Sequence, residues 1–169
     1  MPGPDEPSSE YERILAENAR YVEAFDRSAL TAAPLSGILV LACMDARLDV
    51  EEALGLRTGD AHIVRNAGGH ASDDAIRSIV VSQELLGTDE IIVIGHTRCG
   101  LERADGTALR ARVVARSGVD LAIDFGAFAA VERFVAEQVA ILRRHPWVRR
   151  VPIHGLVFDV ETGRLTEVA

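Results

Sequence analysis

ILVLACMDARLD, residues 38 to 49, decides the fold. Its first half, Ile38 to Ala42, is an unbroken apolar run; its second half turns polar at once and carries a thiol, a carboxylate and a guanidinium. A run this short, apolar on both of its alternating faces, reads as a strand covered from two sides. The polar stretch Asp49 to Leu54 then reads as a helix, with Asp49 and Glu52 at capping-box spacing. The same alternation recurs outward: a run Ala61 to Val64, a helix through Ile76 to Leu86, and a further apolar strand from Glu90 to Gly95. Strands alternating with helices predict a Rossmann-like α/β fold with a central, mainly parallel sheet flanked by helices.

Upstream, residues 1 to 8 are Pro- and Ser-rich and read as a loose terminus, and Ser9 with Glu12 sets up a helix start. Residues 9 to 34 form a helical arm whose stripe of Tyr11, Ile14, Leu15, Val22 and Phe25 needs a cover, from this domain or a partner chain. Pro34 and Gly37 close it. Downstream, residues 101 to 124 are polar and Arg-rich and read as an insertion, with a helical turn or two at Ala108 to Ala115. A helix follows, with Phe128, Val131, Val135, Val139 and Leu142 inward, Arg143 and Arg144 in its last turn and Pro146 beyond it. The tail, Ile153 to Val160 and a turn through Gly163 into Leu165, predicts a short antiparallel strand pair. Residues 35 to 169 are therefore expected to form one domain.

At 169 residues and 48% hydrophobic, the chain has the size of one ordinary domain with a full core. Its formal net charge of -8 disfavours nucleic acid and anionic lipid as partners. Every basic side chain is Arg, so Schiff-base lysine chemistry is excluded. The N-terminus lacks the basic and apolar regions of a secretory signal, and no stretch has the length to span a bilayer, so a cytoplasmic protein is expected. In that setting Cys43 and Cys99 read as thiols for metal binding or catalysis, with a disulfide as the minor alternative.

Cys43, Asp45 and Arg47 follow the first apolar strand at alternating positions; His96 and Cys99 follow the third, with two residues between them. In a parallel sheet these strand ends share one edge, and a crevice forms where the strand order reverses. Two thiolates and an imidazole suit zinc and leave a fourth position for water or substrate, the pattern of a catalytic site. Singly, Cys43 is an ordinary small core residue and His96 an ordinary hydrogen-bonded histidine; the cluster is what points to a metal. Asp45 is either a fourth ligand or the partner of Arg47 in a carboxylate-guanidinium pair. His70 and His62 are the candidate proton carriers, set against plain loop and structural roles; His145 and His154 read as structural. Gly68 and Gly69 either let the backbone approach a substrate or form a tight turn.

CMDARLD at 43 to 49 together with HTRCG at 96 to 100 resembles the paired motifs of beta-carbonic anhydrases. RNAGG at 65 to 69, DDAIRS at 73 to 78, and IHG before FDVETGRL are similar to the compact prokaryotic branch of that family. The resemblance runs from about residue 35 to the end and is weakest between 101 and 124. It implies one zinc ion per subunit on Cys43, His96 and Cys99, an Asp45-Arg47 pair beside it, and a homodimer or higher homo-oligomer in which the N-terminal helix reaches over a neighbour. The activity it implies is hydration of carbon dioxide to bicarbonate and a proton by a zinc-bound hydroxide. Two thiolates leave the metal a poorer Lewis acid than imidazoles would, so an apparent pKa above about 7 is expected. Arg98 stands where Asp is common in the family. Carbonyl sulfide or carbon disulfide hydrolysis on the same site is the nearest rival, and a non-catalytic zinc module closed by Asp45 the next. RNAGG lacks the spacing of a dinucleotide-binding fingerprint.

Overall fold

The computed structural model describes residues 9 to 169; the expected loose segment 1 to 8 lies outside the described residues. The chain divides into two compact units, Met1–Thr31 and Ala32–Ala169. In the first, helix α1 (Glu10–Glu23) starts where the capping pattern predicts, the Ser9 hydroxyl accepting from the Glu12 N–H. None of its residues is buried, and Tyr11, Ile14, Leu15, Val22 and Phe25 are all exposed.

The second unit contains, in order, β1 (Ile38–Cys43), α2 (Val50–Leu54), β2 (Ala61–Asn66), α3 (Asp73–Leu86), β3 (Glu90–His96), α4 (Gly106–Ser117), α5 (Val131–Arg144), β4 (Ile153–Phe158) and β5 (Leu165–Glu167). The sheet order is β2-β1-β3-β4-β5, with the first four strands parallel and β5 antiparallel to β4. The α/β architecture and the C-terminal antiparallel pair are those expected from the alternation. Alternate residues of β1 enter two cores. Leu39 and Leu41 pack with Ile79, Val93, Val135 and Leu142, while Val40 and Ala42 pack with Leu48, Val50 and Ile94. Both faces of the strand are dry, which is why its sequence does not alternate in polarity.

Three details differ from the sequence expectation. Segment 101 to 124 holds more than the expected helical turn or two: α4 occupies twelve of its residues, capped by the Asp105 carboxylate on the Ala108 N–H and ended by Gly118 in the left-handed region. Its weak amphipathicity hid its full length, for none of its residues is buried. Phe128 lies ahead of α5 rather than in it, but still faces inward and stacks on Phe134. Finally, Cys43 and His96 are the last residues of β1 and β3, so the sheet's own hydrogen bonds fix both.

Helix α5 lies against β3 and β4 at a close approach. A Cβ on Gly95 would stand 2.6 Å from Val135 Cγ2 and 2.8 Å from Val131 Cγ2, and one on Gly155 2.8 Å from Val135 Cγ1. The β-branched ridge Val131, Val135, Val139 thus sits in a groove made by two strand glycines.

Candidate metal centre

The sheet order reverses between β2-β1 and β1-β3, and the crevice at the carboxyl ends there is the expected ligand position of an open α/β sheet. Cys43 ends β1 and His96 ends β3, and the short loop after β3 returns Cys99 to them. Cys43 Sγ, Cys99 Sγ and a His96 ring nitrogen all lie within 4.8 Å of one another, and all three residues are buried. His96 Nδ1 is 3.0 Å from the Thr97 carbonyl, which can only accept, so Nδ1 carries the proton and Nε2 the lone pair. Nε2 has no hydrogen-bond partner although the side chain is only 1% exposed. A buried lone pair without a partner costs about 1–3 kcal/mol. Two soft thiol donors and one orphaned imidazole nitrogen, converging in a dry crevice, are the donor set that a tetrahedral N/S-preferring cation satisfies.

Electrostatics agree. Burial pushes the Cys43 thiol up, but the His96 imidazole and the backbone N–H groups of Asp45 and Gly68 outweigh it and draw the thiol down to about 7. Cys99 is raised, first by burial and then by the charge of Cys43. His96 is opposed by burial, yet the Cys43 sulfur beside it favours the charged ring and raises its pKa. The pocket thus favours a negative sulfur at Cys43 with positive charge close beside it.

Asp45 stands beside the cluster without joining it. Its Oδ1 accepts from the Arg47 backbone N–H at 3.0 Å and from Nε at 2.9 Å; its Oδ2 accepts from Nη2 at 2.9 Å. The fork holds the carboxyl well below the ordinary carboxylate range, with burial working against it. Oδ2 lies 3.7 Å from His96 Nε2, so its remaining lone pair is on the cluster's side. Arg47 Nη2 also donates to the Arg98 carbonyl at 3.1 Å.

Arg65 was not singled out from the sequence. Its Nε donates to the Cys43 carbonyl at 2.9 Å and its Nη2 to the Asp45 carbonyl at 2.7 Å, so one guanidinium from β2 clamps the backbone of the motif. The one available signal was its register, for Arg65 pairs with Ala42 beside the end of β1. Gly68 and Gly69 form the turn after β2. Gly69 has a φ of +75°, and a Cβ there would meet the Cys43 nitrogen and the Ile94 carbonyl, each at 3.2 Å. The turn is thus both tight and pressed against the site.

Both candidate proton carriers are hydrogen-bonded to backbone carbonyls. His70 Nε2 donates to the Gly126 carbonyl at 2.8 Å, and its ring meets Phe134 edge-on. His70 lines a cavity of about 470 Å³ with Asn66, Ser72, Asp124 and Gln138. His62 bridges the Ala32 carbonyl and the Ser82 hydroxyl, which in turn bonds Thr88. His154 lies between Glu90 and Glu167, and His145 accepts from the Trp147 N–H.

A family model described as carbonic anhydrase matches residues 38–117, a span that contains all three cluster residues and α4. Beta-carbonic anhydrase 1 of Mycobacterium tuberculosis is 37% identical over 155 residues, covering 91% of this chain and 94% of its own. This chain belongs to the beta-carbonic anhydrase family. The crystal structure of carbonic anhydrase from Streptococcus mutans superposes on it with a TM-score of 0.91 at 38% identity, covering 97% of this chain and 100% of that one. A carbon disulfide hydrolase from Acidithiobacillus thiooxidans is 38% identical over 148 residues, covering 75% of this chain and 74% of its own, and marks a related branch. For a beta-carbonic anhydrase the Cys43, His96, Cys99 group is the metal-site-like feature. No helix among the described residues is long and apolar enough to cross a membrane.

Proposed function

We propose that this protein hydrates carbon dioxide to bicarbonate and a proton, using one zinc ion per subunit held by Cys43, His96 and Cys99. The observation that carries this reading is the orphaned His96 Nε2 facing two buried sulfurs beside a carboxylate that is already satisfied by Arg47. When bound, zinc supplies Lewis acidity that brings the deprotonation of a water toward neutral pH.

The chain's own residues supply the rest. Asp45, held ionised by Arg47, is acceptor-only. Two hydrogen bonds from Arg47 occupy Oδ1 and one occupies Oδ2, which leaves Oδ2 to accept a hydrogen bond from the attacking oxygen and turn its lone pair toward the carbon. Arg47 in turn keeps Asp45 from closing the cluster as a fourth ligand. Arg65 fixes the two carbonyls between which Met44 turns. The released proton must reach buffer, and His70 is our candidate carrier. Its substitution by Ala is expected to lower kcat at low buffer concentration, with added imidazole restoring it.

The test is metal analysis together with stopped-flow carbon dioxide hydration. The expected result is one zinc per chain and turnover that rises toward alkaline pH; a zinc-loaded protein without hydration activity at any pH overturns the proposal. The similarity to carbon disulfide hydrolases favours a second reading, hydrolysis of carbon disulfide or carbonyl sulfide on the same residues. Sulfide release measured in parallel separates the two. Inactivity in both assays points instead to a zinc module closed by Asp45.

A further inference from the structure

The Asp45-Arg47 pair has a support that begins on the far side of the crevice, in the turn between β4 and β5. Arg98 lies between His96 and Cys99 with a φ of +55°, in the left-handed region that non-glycine residues seldom occupy. In that conformation its carbonyl accepts from Arg47 Nη2, the nitrogen that also holds Asp45 Oδ2. Its side chain runs the other way, and Nη2 meets Glu161 Oε2 at 2.8 Å.

Glu161 is itself held. The Asp159 carboxylate accepts from the Glu161 N–H at 2.8 Å and from the Thr162 N–H at 3.3 Å, and the Asp159 carbonyl accepts from the Gly163 N–H. This turn is stitched to the loop after β3 at Thr97, whose N–H donates to the Phe158 carbonyl and whose hydroxyl accepts from the Val160 N–H at 3.1 Å. The backbone of residue 98 is thus fixed from both ends, by Arg47 at its carbonyl and by the turn at its side chain.

We infer that Arg98 and Glu161 are positioning residues for Arg47: the ion pair holds the residue 98 peptide so that its carbonyl keeps Arg47 on Asp45 and Asp45 away from the metal cluster. Asp and Asn tolerate the left-handed region better than other side chains. Arg98 adopts it here with Glu161 as its ion-pair partner. The inference rests on the proposed role of Asp45. Both side chains are exposed, 65% for Arg98 and 59% for Glu161, so the pair is a trim on the pair's geometry rather than its foundation.

The experiment compares Glu161→Gln, Arg98→Asn, the double variant, and the charge exchange Arg98→Glu with Glu161→Arg. Asn keeps the backbone conformation while removing the ion pair. Each protein is examined for metal content, for kcat and KM, and as its cobalt-substituted form by visible absorption, with Arg47→Ala as the reference for a released Asp45. Each single variant is expected to lose roughly two- to fivefold in kcat at unchanged metal content. Its cobalt spectrum moves part of the way toward that of Arg47→Ala, the double variant is no worse than either single, and the charge exchange recovers at least half of the loss. Wild-type spectra in both single variants, or effects that simply add in the double, overturn the inference. If the parent protein hydrates no carbon dioxide the proposed function fails, while the cobalt comparison still decides whether Arg98 and Glu161 act through Arg47.

Discussion

Arg47 and Arg65 use the same guanidinium chemistry for different ends, one on a carboxylate and one on two carbonyls, and their substitutions are expected to differ in kind. Arg47→Ala releases Asp45 beside the cluster, so zinc is retained and kcat falls by at least about a hundredfold, which stopped-flow assay with metal analysis checks. Arg65→Met leaves two carbonyls at the motif without their donor, so metal affinity falls first, read as faster zinc loss to a chelator. Asp45 also sets a pH expectation. Arg47 depresses its carboxyl against the opposing effect of burial, so the stability from this pair is complete above the ordinary value near 3.8 and is lost as pH falls below it toward the depressed one. Between pH 5 and 9 Asp45 does not titrate. Any activity change there belongs to another group, and Asp45→Asn should lower the rate at every pH in that window without moving the profile's midpoint.

Among the elements, α5 against β3 and β4 carries the tightest tolerance. Gly95→Ala puts a methyl into Val131 and Val135, whose β-branched side chains have no spare rotamer in a helix, so about 1–3 kcal/mol of stability is lost in urea unfolding. Val135→Ala in the same chain recovers part of it. This contact was invisible in the sequence, where Gly95 reads only as the end of a strand. What was legible followed from periodicity and from paired signals: β1 from its apolar run, α2 from Asp49 with Glu52, and the cluster from two motifs whose strands had to end on one edge. Helix α4 was legible only as a turn or two at Ala108 to Ala115, because no face of it is buried and periodicity reports burial rather than helicity. Arg65 was not, since its partners are backbone carbonyls, and a carbonyl has no letter in the sequence.

At the scale of the molecule, α1 presents Tyr11 at 69%, Ile14 at 55% and Val22 at 62% exposure, more apolar surface than a lone helix leaves in water. We propose a second copy of the chain as its cover. Sedimentation should find a dimer or larger assembly, and Ile14→Asp with Phe25→Asp should shift it toward monomer. If the proposed zinc is bound at a thousandfold excess over its Kd, it adds about 4 kcal/mol to the folded state, and chelation is expected to lower the Tm by roughly 8–16 °C in calorimetry. Cys43 and His96 stand about fifty positions apart in the chain and meet only because β1 and β3 are neighbours. A ligand set spread in this way is complete only in the paired sheet, since in the unfolded chain Cys43 is far from His96 and Cys99. For the zinc ion proposed here, exchange of radioactive zinc is therefore expected to speed up whenever β1 and β3 separate, so conditions that loosen the sheet should raise the exchange rate ahead of global unfolding.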